Sequence, residues 1–254
     1  MSSNLDDILR LFEPISLAEM ESVKLMNRID TKYVVSVCQL PAILNKAKAD
    51  YYVQDIEGVR VAQYDTMYYD TPQLDMYIRH HDRQLVRQKI RIREYVDSDL
   101  TFLEIKRKNN KGRTKKKRIV ITDALRQVEE IKEFVGKKSW YNWDELSPKL
   151  RTVFHRITLV NKAKTERLTI DLDLRFENQV NGVREQIEGM VIIELKRDGN
   201  QPSPMLKIMQ SEHVKPLKVS KYCIGTALTN PLIKHNRFKD KIRKIRKICY
   251  SQTE

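Results

Sequence analysis

Apolar and polar positions alternate with a period of two in a series of short stretches, the pattern of strands with one apolar face. "RIDTKYV" sets Arg28, Asp30 and Lys32 against Ile29, Tyr33 and Val35. "KIRIREYV" sets Lys89, Arg91 and Arg93 against Ile90, Ile92 and Val96. "FLEIKRK" opposes Glu104, Lys106 and Lys108 to Leu103 and Ile105, and "KKKRIVI" opposes Lys116 and Arg118 to Lys117, Ile119 and Ile121. "RLTIDLDLRF" places Arg167, Thr169, Asp171, Asp173 and Arg175 on one face and Leu168, Ile170, Leu172, Leu174 and Phe176 on the other. "IIELK" repeats the scheme with Glu194 and Lys196.

Other stretches carry helical spacing. "NLDDILRLFEPI" repeats Leu5, Ile8, Leu9 and Phe12, with Asn4 as a cap and Pro14 as a stop. "LPAILNKAKADY" has Pro41 in its first turn, and "DALRQVEEIKEFV" has Asp123 as its cap. "SPKLRTVFHRITLV" reads as a short helix followed by a strand. "SPMLKIMQSEH" and "SKYCIGTALT" read as helices, and residues 233–249 as a basic helix with Phe238, Ile242, Ile245 and Cys249 on one stripe. About eight strands follow one another through short turns, without a repeat or a shift of composition. The expected architecture is α+β: one domain, 1–254, built as an eight-stranded, mainly antiparallel β-barrel with peripheral helices.

A single antiparallel strand with a polar face usually points it at solvent. Here six strands share the pattern, and their polar faces are almost wholly ionic. The helices offer apolar stripes able to cover the apolar faces from outside. The barrel this predicts is inside-out, with a charged lumen. Such a lumen is costly unless water or a ligand fills it. Lys plus Arg total 48 against 34 acids, a net charge of +14, which favours polyanionic partners. Guanidinium forks suit phosphate oxygens, and carboxylates suit a hard cation bridging them. Aromatic content is 7%, and with mixed-sign strand faces a nucleic-acid reader is not expected.

Cys38, Cys223 and Cys249 form no CxxC pair, and the five histidines have no metal-ligand spacing. No P-loop pattern occurs. The N-terminus has no secretory pattern, and no apolar run approaches the ~20 residues of a membrane span. The expected location is cytoplasmic, without a transmembrane segment.

The ordered set "RIDTKY", "YYDT", "RIREY", "LEIKRK", "KKR", "FHR", "RLTID", "IELK" and "SKYCIG" runs over nearly the whole chain. It resembles the triphosphate tunnel metalloenzymes, and within them the polyphosphate-polymerase branch, the catalytic domain of the vacuolar transporter chaperone (VTC) complex and its bacterial relatives. The adenylate-cyclase and thiamine-triphosphatase branch opens with E-x-E-x-K, whereas Arg28 stands here in the first Glu slot. The resemblance implies transfer of the ATP γ-phosphate to a growing polyphosphate chain, with Mn²⁺ or Mg²⁺, and ATP, pyrophosphate and polyphosphate as ligands. By that resemblance Lys32, Arg28, Arg91, Arg93, Lys106, Lys116, Arg118, Arg156, Arg167, Lys196 and Lys221 hold phosphates. Lys221, Arg91, Arg93 and Glu194 form the catalytic group, with Glu194 the principal metal ligand and Glu104 the lesser one. A triphosphatase or short-chain polyphosphatase, and a non-catalytic polyphosphate-binding subunit, stand as alternatives. Eukaryotic relatives carry a phosphate-sensing domain and membrane helices that are not visible here, which leaves a membrane-protein partner open. "RKNNKGRTKKKR" reads either as a solvated loop or as a tunnel-mouth track.

Overall fold

The computed structural model describes residues 2–21, 28–123, 126–199 and 201–250, leaving aside the side chains of 2, 3, 21 and 28. In chain order the elements are α1 (Ser2–Arg10), β1 (Glu13–Ile15), α2 (Leu17–Glu21), β2 (Arg28–Ser36), α3 (Leu40–Ala47), β3 (Tyr51–Gln54), β4 (Ala62–Asp70) and α4 (Asp75–His81). There follow β5 (Arg87–Tyr95), β6 (Leu100–Lys108), β7 (Thr114–Val120), α5 (Val128–Lys138), β8 (Ser147–Asn161), β9 (Glu166–Asn178) and β10 (Arg184–Gln186). The chain closes with β11 (Met190–Asp198), α6 (Pro204–Ser211), α7 (Lys221–Thr229) and α8 (Asn236–Tyr250).

Eight strands form the main path, β2-β11-β9-β8-β4-β5-β6-β7, antiparallel throughout; β1, β3 and β10 add short pairings beside it. The α+β class and the eight main strands agree with the sequence reading. The sheet curls into a half-barrel, and its end strands β2 and β7 do not pair. A strap lies along the free edge of β2. The Leu217 amide donates to the Lys32 carbonyl at 2.7 Å, and Pro216 makes an isolated bridge with Tyr33 on the free edge of β2.

Alternation of side chains then sorts the core. The convex faces of β2, β9 and β11 send Tyr33, Val35, Leu168, Ile170, Ile193 and Leu195 into a cluster under α1, α3 and α6. On β5 and β6, Ile90, Leu103 and Ile105 pack against Ile131 and Val135 of α5. The apolar strand faces are covered from outside, as expected.

The concave face is divided, which the sequence pattern does not show. One half is ionic. The other is apolar and is filled by α7, backed by α8, against Val34, Tyr68, Leu150, Phe154, Phe176 and Ile192. A β-bulge on β9 makes this possible. Between the pairs His155↔Leu172 and Val153↔Arg175, β9 spends one residue more than β8. Asp173 sits there with φ +52°. The extra residue flips the parity, so Leu174 and Phe176 turn to the concave side while Leu168, Ile170 and Leu172 face outward. Asp173 and Arg175 therefore do not continue the Asp171 face.

Residues 147–161 form one long strand instead of a helix and a strand. Pro148 lies beyond the first β9 pairing, Leu150↔Asn178, so its missing N–H costs no ladder bond on that side. α5 begins at Val128 with Gln127 at its cap position, later than the expected Asp123 cap. α8 buries Phe238, Ile242, Ile245 and Cys249 on one stripe.

Candidate functional site

The ionic half of the concave face is organised by three carboxylates. Glu104 is fully buried on β6. Its Oε2 accepts from Arg91 Nε at 2.7 Å and also from Nη2, while its Oε1 accepts from Lys116 Nζ at 3.0 Å. Asp171, on β9 just before the bulge, accepts from Arg156 through both oxygens at 2.5 and 2.9 Å, and from Lys221 Nζ. Glu194 on β11 lies between Lys32 and Lys196, with both ammoniums at 3.6 Å.

Burial raises each of these carboxyls, but the surrounding cations outweigh it. Arg91, Arg93 and Lys116 hold Glu104 well below the usual carboxylate range. Arg156 and Lys221 do so for Asp171, and Lys196, Lys32 and Lys106 for Glu194. All three stay ionised at neutral pH. The lysines are the softer partners. Burial, reinforced by Arg156 and only partly offset by Asp171, lowers Lys221 to about 7. Burial lowers Lys196 to about 8 against the pull of Glu194. Lys106 is driven well down by Arg91 and by burial.

An aromatic floor marks the border with the apolar half. Tyr64 and Phe154 stack at 5.3 Å. The Arg156 guanidinium lies 4.8 Å from the Tyr64 ring, Arg93 lies 5.4 Å from it, and the Lys221 ammonium stands 4.2 Å from the Phe154 ring. Thr66 accepts from Arg93 Nε at 3.0 Å, and Tyr68 accepts from Arg91 at 3.3 Å. These cations are thereby held in fixed directions.

Lys221 opens α7, and α7 is anchored by the last residue of β4. The buried Asp70 carboxylate accepts from the amides of Thr71, Met76 and Tyr77 and from the Tyr222 hydroxyl at 2.6 Å. The "YYDT" motif therefore caps α4 and pins the first turn of α7. Ser220 caps α7 by accepting from the Cys223 amide at 3.3 Å and takes a second bond from Lys89 at 2.7 Å.

Most of the residues expected at the site converge on the concave face: Lys32, Arg91, Arg93, Lys106, Lys116, Arg156, Lys196, Lys221, Glu104 and Glu194. Arg118 is exposed and stacks 4.3 Å over Phe102 at the rim. Arg167 donates to the Met20 carbonyl at 2.8 Å, which ties it to α2. The side chain of Arg28 lies outside the described residues. Both oxygens of Glu104 are taken by cations, so Glu104 orients Arg91 and Lys116 and does not suit a metal. Lys89 and the aromatic floor were absent from the expected site. The parity of Lys89 with Arg91 pointed to the first; only the fold reveals the second.

Among the described residues no group of three or more His, Cys, Asp or Glu side chains is placed to hold a metal ion. The protein thus supplies one suitable carboxylate, Glu194, in a field of cations. That donor set fits a divalent ion only when phosphate oxygens and water complete the sphere.

Fold and site together define a basic half-barrel that presents a buried, carboxylate-organised cation array. The chain belongs to the VTC domain family, whose model matches residues 27–230. No curated protein matches the sequence. Among solved structures, a putative adenylate cyclase from Vibrio parahaemolyticus is 14% identical, with 79% of this chain and 99% of that one covered and a TM-score of 0.49. A putative adenylyl cyclase from Hippeastrum, described as having a dominant triphosphatase activity, is 12% identical over 80% of this chain and 96% of its own, with a TM-score of 0.47. A conserved hypothetical protein from Pyrococcus furiosus is 14% identical over 78% and 99%, with a TM-score of 0.44.

Proposed function

We propose that the chain is a metal-dependent polyphosphate polymerase that moves the ATP γ-phosphate onto the end of an inorganic polyphosphate. A terminal phosphate oxygen attacks the γ-phosphorus, the bond to the β–γ bridging oxygen breaks, and ADP leaves as the chain gains one phosphate. Membership of the VTC domain family supports this reading. The observation that carries it is the state of the carboxylates. Glu104, Asp171 and Glu194 are all held well below the usual carboxylate range, so none is a good base toward water. The end of a phosphate chain is already an anionic nucleophile and needs no base.

The catalysis left to the protein is placement and charge neutralisation, the main terms in phosphoryl transfer. Arg91 and Arg93, fixed by Glu104 and Thr66, grip phosphoryl oxygens from β5. Arg156 and Lys221, fixed by Asp171, do so from β8 and α7. Glu194 would hold a divalent ion, which when bound neutralises phosphate charge and draws the two reactants together. Lys32 and Lys196, released from Glu194, would turn to phosphate.

The test is a chain-length assay with ATP, Mn²⁺ and a trace of pyrophosphate. Long polyphosphate with matching ADP is expected, whereas orthophosphate alone would show a hydrolase and overturn the reading. Glu194→Gln is expected to lose metal-dependent turnover while still binding tripolyphosphate without metal.

A further inference from the structure

α8 carries more positive charge than its packing uses. Its buried stripe, Phe238, Ile242, Ile245 and Cys249, joins the cluster that holds α7. Away from that stripe, Arg237, Lys239, Arg243, Lys244, Arg246 and Lys247 are all exposed. Lys239, Arg243 and Arg246 follow one another at i, i+4 and i+7, so they form a single row, and the exposed Tyr250 ends it. Like charges at these spacings weaken a helix. Among the described residues the one ion pair on this face joins Arg243 to Asp240 at 2.9 Å. α5 meets solvent differently: Lys132 pairs with Asp144 at 3.0 Å, and Lys137 pairs with Glu133. A face that had only to be soluble would be balanced as α5 is. The uncompensated row on α8 calls for an external anion.

Uncovered apolar side chains stand at the start of the same helix. Leu232, just before α8, is 95% exposed. The turn between α4 and β5 lies against this end: Lys234 pairs with Asp82 at 2.9 Å, and the Asn236 side chain meets His81 at 2.7 Å. In that turn Leu85 is 58% exposed, and Val86 and Arg83 are exposed beside it. Scattered singly, such residues would carry no meaning. Gathered at one end of a basic row, they make an apolar tip with cations behind it.

The two features together select the partner. A nucleic acid or a free phosphate chain would use the cations and gain nothing from Leu232. An anionic bilayer uses both: its headgroups attract lysine and arginine, and the boundary of its acyl region takes up apolar side chains. We infer that the outer face of α8, with Leu232 and the turn at 83–86, docks the protein on an anionic phospholipid bilayer. The contact is peripheral, made by a surface and not by a span. It is distinct from the concave cation array, because α8 turns its opposite side to α7. It holds whatever reaction the array performs.

The test is sedimentation of the full chain with vesicles of phosphatidylcholine alone and of phosphatidylcholine mixed with phosphatidylglycerol, without ATP or metal. Wild type is expected to pellet with the mixed vesicles and not with the neutral ones. The variant Lys239→Gln, Arg243→Gln, Arg246→Gln, Lys247→Gln is expected to lose at least about tenfold in partition, since each cation near such a surface contributes up to about fivefold. Leu232→Ser, which leaves every cation in place, is expected to lose about tenfold. Both variants should keep the melting temperature and the tripolyphosphate affinity of wild type, which shows the fold and the concave array intact. No binding to the mixed vesicles, or undiminished binding by the glutamine variant, overturns the site. A loss in the glutamine variant with none in Leu232→Ser means that α8 takes a soluble polyanion such as RNA, and overturns the bilayer assignment. Because the readout needs no turnover, failure of the polymerase reading leaves this result standing.

Discussion

Single residues decide which charges at this site are permanent and which are adjustable. Arg91, Arg93 and Arg156 stay charged at any working pH. Lys221, with its ammonium lowered to about 7, does not. An anionic ligand needs the ammonium, so tripolyphosphate should bind tightly below about pH 7 and progressively less well as pH rises toward 9. Tripolyphosphate itself gains negative charge as pH rises through the phosphate range, which acts in the opposite sense, so any loss comes from the protein. Lys221→Arg should remove the step near 7 and leave the later one from Lys196, near 8. Competition titrations at constant ionic strength check this, and a flat profile from pH 6 to 9 in wild type would refute it. At this scale the sequence was informative for the cations, since parity alone placed Arg91, Arg93 and Lys106 together. It was less informative for the acids. Asp171, Glu104 and Glu194 look alike as carboxylates in alternating strands. Their different duties follow from how many cations each one meets across the curled sheet.

Elements show where period-two reading stops working. Alternation identified the strands and their outward faces, but a bulge needs two residues against one on a partner strand, and that pairing is not local. The flip at Asp173 turns Leu174 and Phe176 into the concave face, where they receive α7. Gly225 makes that contact close. A Cβ added there would meet Phe176 Cδ1 at 2.4 Å and Leu150 Cδ2 at 2.7 Å. Ala is ordinarily the better helix residue by about 1 kcal/mol, yet Gly225→Ala should destabilise the protein by about 1–3 kcal/mol through overpacking. It should also weaken polyphosphate binding, because α7 carries Lys221. Urea unfolding measures the first effect; an unchanged or higher midpoint would mean that α7 does not rest on β8 and β9 at this distance. The "SKYCIG" stretch showed its helical character in sequence. That its Gly is a contact surface and not a helix flaw became visible only with the sheet beneath it.

The whole molecule is a trade between stability and readiness for ligand. Its excess charge of +14 is concentrated in part on a concave face where buried cations outnumber the three carboxylates that organise them. Such an array is held in place by the convex-side core and by the α7–α8 plug, and it works against folding until an anion enters. Ligand and stability are then linked: tripolyphosphate at 100 times its dissociation constant should add about 2.7 kcal/mol, or roughly 5–10 °C in melting temperature for a domain of this size. Salt supplies a second signature. Sodium chloride screens the repulsion and should raise the melting temperature of the free protein, while shrinking the further rise caused by tripolyphosphate. A cation array that merely faced solvent would also respond to salt but would give no saturable rise with tripolyphosphate, so the ligand response is the one that discriminates. Thermal unfolding across a grid of salt and tripolyphosphate concentrations separates the cases. If tripolyphosphate produces no shift at low salt, the concave face is a wet sheet surface and not a polyanion site, whatever family the chain belongs to.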